Sequence, residues 1–147
     1  MFIATGAYSG YLPKAPGTWG SLLAVLLWTS GLYRLTPANY IGLLTGILLL
    51  GTAAAGAAEK IVDRADPGLV VIDEILGQLI ALAFVPWHPA TALIGFVLFR
   101  FFDILKPFPV RWLDQHIHGG LGIMLDDVMA GIYAFLLLQG FIRLAGL

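Results

Sequence analysis

The chain has 147 residues, of which 59% are hydrophobic and only 12% are charged, with a net charge of −1 and no cysteine. A soluble domain carries about 25% charged residues, so the composition excludes an ordinary water-soluble globule and predicts one membrane-embedded domain over residues 1–147. It also excludes disulfides, thiolate metal sites and cysteine nucleophiles, and the absence of any basic run gives no sign of a nucleic-acid partner.

The first predicted elements are a loop and a short helix. Residues 6–21 are rich in glycine and proline, a composition typical of turns. Ser21 is expected to cap a helix over residues 21–35, which would reach about 22 Å at 1.5 Å per residue. That length is short for a hydrocarbon core of about 30 Å, so whether this helix fully spans the bilayer is left open.

The loop before this helix is a candidate phosphate-binding segment. Its backbone N–H groups could surround a phosphate, aided by the N-terminus of the following helix. The side chains expected to contact the phosphate are Lys14, Thr18 and Ser21.

Four longer apolar runs follow along the chain. Residues 38–58 carry no charge and predict a transmembrane helix. Further runs occupy residues 69–84, 90–108 and 122–144, and the segment from 110 to 120 is predicted to be a polar loop. The expected fold is therefore all-α, an integral membrane bundle with about five membrane-embedded helices.

Two prolines decide how the third and fourth runs are arranged. Pro86 and Pro89 interrupt the apolar sequence and predict a hairpin rather than one kinked helix. The loops at 1–20, 58–72 and 108–121 then share one face, which most of the lysines and arginines adjoin. The positive-inside rule places that face in the cytoplasm, so we expect a multi-pass protein of the inner (plasma) membrane with its active site facing the cytoplasm.

Acidic side chains lie inside three of these apolar runs. A charge at the bilayer centre costs roughly 2.5–3.5 kcal/mol on insertion scales, so such residues are candidates for function. Their recurrence near one face predicts a single shared site, about 8 Å deep. The expected catalytic and metal-binding residues are Asp73, Glu74, Asp103, Asp126 and Asp127.

A cluster of carboxylates favours a divalent cation, and Mg²⁺ prefers oxygen ligands. One ion or two bridged ions would fit. Adjacent acids on a helix point about 100° apart, so one residue of each pair is expected to bind the metal directly while the other orients it.

Cationic side chains flank the acid in the fourth run. Arg100, Asp103 and Lys106 recur every three residues and share about 120° of helix surface. Arg100 and Lys106 are therefore expected to bind a phosphate, and Asp103 a metal ion. The alternative is an internal ion pair, and both can hold if the arginine exchanges its acid for the substrate.

Carboxylates, a metal ion and nearby cations suit phosphoryl chemistry, because the cations stabilise negative charge on phosphate oxygens. A site at headgroup depth predicts a phospholipid substrate. Two alternatives remain. A phosphatidyl-group transferase also uses membrane acids and metal, although its DGxxAR-type spacing is absent. A carboxylate-lined cation transporter would need acids across the bilayer, whereas these acids crowd one face.

Four segments, GYLPKAPGTWGS, VVIDEILGQ, FRFFDILKPFPVRW and GGLGIMLDDVMAG, resemble the signature segments of the phosphatidylglycerophosphatase A family, in its order and spacing. The resemblance implies a magnesium-dependent membrane phosphatase that converts phosphatidylglycerophosphate to phosphatidylglycerol. It points to the same acids and cations, and Asp66 is a further candidate. It leaves open homo-oligomerisation and whether water or a carboxylate is the nucleophile.

Overall fold

The computed structural model describes residues 1–12, 14–64 and 67–147, and within these ranges it contains six α-helices and no strand. The prediction of an all-α fold is confirmed. The helices are α1 (Pro16–Ser30), α2 (Pro37–Val62), α3 (Ile72–Ala81), α4 (Pro89–Leu105), α5 (Val110–His116) and α6 (Gly119–Ala145).

Helix α3 is the most enclosed element and crosses α6 at very short range. Eight of its ten residues are buried. A methyl group placed on Gly131 would lie 2.5 Å from the carbonyl oxygen of Gly77, and one placed on Gly77 would lie 2.6 Å from the carbonyl oxygen of Asp127. Only glycine leaves room for two backbones at this separation. The crossing therefore brings the acids of α3 close to those of α6.

Helix α2 packs along the first part of α6 in the opposite direction. A methyl group on Gly120 would lie 2.0 Å from the carbonyl oxygen of Thr52, and one on Gly51 would lie 2.6 Å from the methyl carbon of Met124. The C-terminal half of α2 thus contacts the N-terminal end of α6. The C-terminal end of α2 consequently lies at the same end of the bundle as the start of α6, the half of α6 that carries Asp126 and Asp127.

The N-terminal segment, residues 1–12, holds the start of α3. The carbonyl oxygen of Ala4 accepts hydrogen bonds from the N–H groups of Val71, at 2.9 Å, and Ile72, at 3.1 Å. These donors belong to the end of a helix that no described side chain caps, and such groups need a partner when they are buried. The segment therefore fixes the helix end that carries Asp73.

The predicted hairpin is confirmed, since α3 and α4 are separate helices. Pro89 is the first residue of α4, where its fixed φ suits a helix start. The side chain of His88 caps this helix by accepting a hydrogen bond from the N–H of Ala90 at 3.0 Å. His88 thus has a structural role, far from the acids along α4.

The expected number of membrane-embedded helices is only partly supported. Two helices of the described chain, α2 and α6, are long and apolar enough to cross a membrane, judged by length and composition. Helix α3 has ten residues, which span about 15 Å, half of a hydrocarbon core. The apolar run continues to Phe84, but the chain leaves the helix after Ala81, and Phe84 itself has φ 59°.

Two other predicted boundaries were wrong. Helix α1 begins at Pro16 rather than Ser21, because proline at the first position starts a helix well. Ser21 therefore caps nothing and is buried in the second turn. The segment predicted to be a polar loop contains α5, whose buried Val110 anchors it to the core.

Candidate active site

Three carboxylates from two helices form the centre of the candidate site. Asp73 and Glu74 lie in the first turn of α3, and Asp127 lies on α6. One carboxylate oxygen from each falls within 4.8 Å of the others. Each of the three also has a buried oxygen without a hydrogen-bond partner in the described chain. Buried, unpartnered carboxylate oxygens are what a bound cation would satisfy.

The electrostatics of α3 support the same conclusion. Burial raises the pKa of the Asp73 carboxyl well above its usual range, and the negative charges of Glu74 and Asp127 raise it further. Burial also raises the pKa of Glu74, with Asp103 adding to the rise and Arg100 opposing it. A divalent cation would relieve this repulsion, and an all-oxygen carboxylate set fits Mg²⁺.

One acid of each pair was expected to face the metal, and the two pairs differ in this respect. In the first pair, both Asp73 and Glu74 offer an oxygen to the set of three. In the second pair only Asp127 does so. Asp126 instead accepts a hydrogen bond from the backbone N–H of Asp127 at 2.9 Å and another from Lys106 Nζ at 3.0 Å.

Two cations border the carboxylates at the end of α4. Arg100 forms an ion pair with Asp103, so the predicted internal pair is present. Lys106 follows the last residue of α4 in a left-handed conformation, φ 50°, and its Nζ lies 3.9 Å from Asp103 Oδ1. Burial lowers the pKa of Lys106, but Asp126 and neighbouring acids outweigh it and raise the pKa above its ordinary value. The amine is therefore a fixed positive charge.

The start of α1 also reaches this site, through Gly17. A methyl group placed on Gly17 would lie 2.8 Å from Glu74 Oε1 and 3.0 Å from Arg100 Nη1. The loop predicted to bind phosphate thus shares the site with the acids. Gly17 was not among the residues predicted from the sequence, although its position directly after a proline that starts a helix was a usable signal.

The three side chains predicted to contact a phosphate differ in their exposure to solvent. Lys14 is exposed, Thr18 is half-buried, and Ser21 is buried with no partner for its hydroxyl group among the described residues. Asp66 lies outside the described residues.

Gln78 is a further polar group in the core of α3, one turn after Glu74. Its side chain is fully buried, and neither amide atom has a hydrogen-bond partner in the parts of the chain described. An unpaired buried polar group costs about 1–3 kcal/mol. The polar interior around α3 therefore extends one turn beyond Glu74.

Comparisons with known proteins bear on this arrangement. Residues 2–142 match the family model described as phosphatidylglycerophosphatase A. Similar to the chain are proteins named phosphatidylglycerophosphatase A from Haemophilus influenzae, 42% identical across 90% of this chain and 82% of the relative, and from Escherichia coli, 38% identical across 88% and 76%.

A third similar protein, from Bacteroides thetaiotaomicron, carries the provisional name phosphatidylinositol-3-phosphatase. It is 42% identical across 94% of this chain and 90% of its own length. No solved structure matches the chain.

Proposed function

The chain belongs to the phosphatidylglycerophosphatase A family and is therefore a phosphatase, and we propose that it hydrolyses the terminal phosphate of phosphatidylglycerophosphate with the help of Mg²⁺. The products would be phosphatidylglycerol and inorganic phosphate. The observation that carries this proposal is the meeting of Asp73, Glu74 and Asp127, from two helices, within 4.8 Å.

The residues divide into a metal-binding group and a phosphate-binding group. Asp73, Glu74 and Asp127 would hold Mg²⁺, which when bound supplies positive charge for the phosphate oxygens and lowers the pKa of a water molecule. Asp103 and Asp126 border this group; Asp103 pairs with Arg100 on α4, and Asp126 pairs with Lys106, just after α4.

The cations bind and orient the terminal phosphate. Arg100 can donate two parallel hydrogen bonds to phosphate oxygens once it leaves Asp103. Lys106, held at 3.0 Å by Asp126, adds a point charge. The first turn of α1 adds backbone N–H groups next to Gly17, where a helix end favours an anion.

We further propose that α2 and α6 cross the membrane and that the site lies at its cytoplasmic side. Most of the lysines and arginines lie at the end of the bundle that carries the acids, and an excess of these residues is typical of the cytoplasmic side. The shorter helices α1, α3 and α4 would then be enclosed by protein or lie partly within the bilayer. A site near that surface gives a phosphorylated headgroup access without crossing the hydrocarbon region.

The provisional name of the Bacteroides relative supports a second candidate substrate, phosphatidylinositol 3-phosphate. It is also a phosphomonoester on a lipid headgroup, so the same carboxylates and cations could act on it. The two substrates differ in the group that bears the phosphate, a flexible glycerol in one and an inositol ring in the other.

Phosphate release from mixed micelles distinguishes these candidates. The purified protein is given phosphatidylglycerophosphate, phosphatidylinositol 3-phosphate or phosphatidic acid, with Mg²⁺ or with EDTA. We expect phosphatidylglycerophosphate to be hydrolysed fastest, with loss of activity in EDTA and recovery when Mg²⁺ is restored. Full activity in EDTA would rule out the metal, and faster hydrolysis of the inositol lipid would support the second substrate.

A further inference from the structure

Two neighbouring cavities border the C-terminal end of α4, beside Lys106. One, of about 470 Å³, includes Lys106, Arg111 and Trp112 in its walls. The other, of about 340 Å³, lies against Phe102, Tyr133, Leu136 and Leu137. Pro107 and Phe108 line both cavities, so the two adjoin, and together they are called the Phe108 groove.

The groove is cationic at one end and apolar at the other. At the cationic end, Lys106 contacts Asp126 of the candidate site at 3.0 Å, which ties the groove to the site. Arg111 is exposed, and within the described chain it forms no ion pair. An unpaired arginine beside a second cation favours an anion with several oxygens, such as a phosphate.

The apolar end runs along α6, away from the charges. Leu137 is ten residues beyond Asp127, which corresponds to about 15 Å along the helix axis. Phe108 is 79% exposed and Leu137 is 52% exposed, so both present apolar surface. The hydroxyl group of Tyr133 donates a hydrogen bond to the carbonyl oxygen of Phe108 at 2.7 Å, which joins α6 to the segment after α4.

This order of charges and apolar surface matches the order of groups in the proposed substrate. Phosphatidylglycerophosphate has a terminal phosphomonoester, then an internal phosphodiester, then two acyl chains. With the monoester at Lys106, the diester would fall beside Arg111 and a chain would follow α6 toward Leu137. A lipid with only one phosphate, such as phosphatidic acid, has no diester to place there.

We propose that the Phe108 groove binds the lipid part of the substrate, with Arg111 recognising the internal phosphodiester and Phe102, Phe108 and Leu137 contacting an acyl chain. This inference rests on the proposed function and adds to it a specificity-determining residue. Arg111 makes the enzyme prefer lipids with two phosphates over lipids with one.

The test uses Arg111→Gln and three compounds. All three carry a terminal phosphomonoester. Phosphatidylglycerophosphate also has the diester and the acyl chains, its deacylated analogue glycerophosphoglycerophosphate has the diester without the chains, and phosphatidic acid has the chains without the diester. A hydrogen bond to a charged group corresponds to roughly a ten- to hundred-fold effect. We therefore expect kcat/KM to fall at least about ten-fold for the two diester compounds, chiefly through KM, and to be unchanged for phosphatidic acid.

Arg64→Gln is the matched control, since Arg64 is also exposed and its replacement changes the net charge equally. It should leave all three values unchanged. Where a compound is not hydrolysed, its inhibition constant replaces kcat/KM. Equal losses for compounds with and without the diester, or equal losses in Arg64→Gln, would overturn the role of Arg111.

The apolar end is tested separately with Leu137→Gln. We expect kcat/KM to fall several-fold for the two acylated lipids and not for the deacylated analogue, because only the chains contact Leu137. Leu93→Gln on α4 is the control, since Leu93 is also exposed. A loss with the deacylated analogue would contradict chain binding. Failure of the unmodified protein to hydrolyse phosphatidylglycerophosphate would instead contradict the proposed function.

Discussion

Replacement of Asp127 by asparagine is expected to reduce phosphate release from phosphatidylglycerophosphate by about a hundred- to a thousand-fold, the range seen when one group that stabilises transition-state charge is removed. Asp127 is 1% exposed, and one of its carboxylate oxygens has no hydrogen-bond partner among the described residues. Asparagine keeps the shape of the side chain but removes the charge that a cation requires. The measurement is the initial rate in mixed micelles with saturating Mg²⁺.

In the absence of metal, Asp127→Asn should be at least as stable as the unmodified protein. Asp73, Glu74 and Asp127 repel one another in the metal-free protein, so removal of one charge should stabilise it by about 1–2 kcal/mol. Thermal unfolding in EDTA checks this, and Mg²⁺ should raise the Tm of the unmodified protein much more than that of the variant. Asp114→Asn, at an exposed position on α5, is the control and should keep activity. A normal rate in Asp127→Asn would remove this residue from the site.

Replacement of Gly17 by alanine is expected to reduce activity about a hundred-fold while the protein stays folded. The added methyl group would lie 2.8 Å from Glu74 Oε1 and 3.0 Å from Arg100 Nη1, so both side chains must shift. Displacing catalytic groups by as little as 1 Å can cost about a hundred-fold in rate. The fold should tolerate the change because the groups displaced are the ends of flexible side chains.

Stability distinguishes this explanation from simple unfolding. Alanine in place of glycine favours a helix by up to about 1 kcal/mol, so Gly17→Ala should unfold at the same temperature as the unmodified protein or higher. Gly42→Ala in α2 is the matched control, since no neighbouring atom of the described residues lies within 4 Å of the added methyl group. It should keep full activity. Full activity in Gly17→Ala would show that the start of α1 does not determine the positions of Glu74 and Arg100 during the reaction.

The convergence of the acids was predictable from sequence because of the cost of burying charge. An apolar run tolerates an acid only where a polar partner or a cation meets it, so acids in several runs implied a common site. The prolines between α3 and α4 then determined that Asp73 and Asp103 lie at the same end. The structure confirms this hairpin, while the catalytic roles of the individual acids stay predictions.

The close contacts between helices were not predictable from one sequence. Gly77 and Gly131 each follow an acid by about one turn, but their contact depends on how α3 and α6 cross. The contact of Gly17 with Glu74 and Arg100 likewise depends on the position of α1, which was assigned a start five residues too late.

Helix lengths were also predicted less well than helix positions. A continuous apolar run contains no periodic signal for its end, so the run through Phe84 gave no sign that α3 stops at Ala81. The start of α3 was equally hard to predict. The N–H groups of Val71 and Ile72 donate hydrogen bonds to Ala4, which lies in a segment with no recognisable motif. The prediction of five embedded helices consequently overestimated the number of helices long enough to cross a membrane.

Metal binding to the purified, metal-free protein tests the central claim most directly. Calorimetric titration with Mg²⁺ would compare the unmodified protein with Asp73→Asn, on α3, and Asp127→Asn, on α6. Because both helices supply ligands to one site, we expect saturable binding in the unmodified protein and its loss in either variant alone. Unchanged binding in both variants would contradict a cation site shared between these helices.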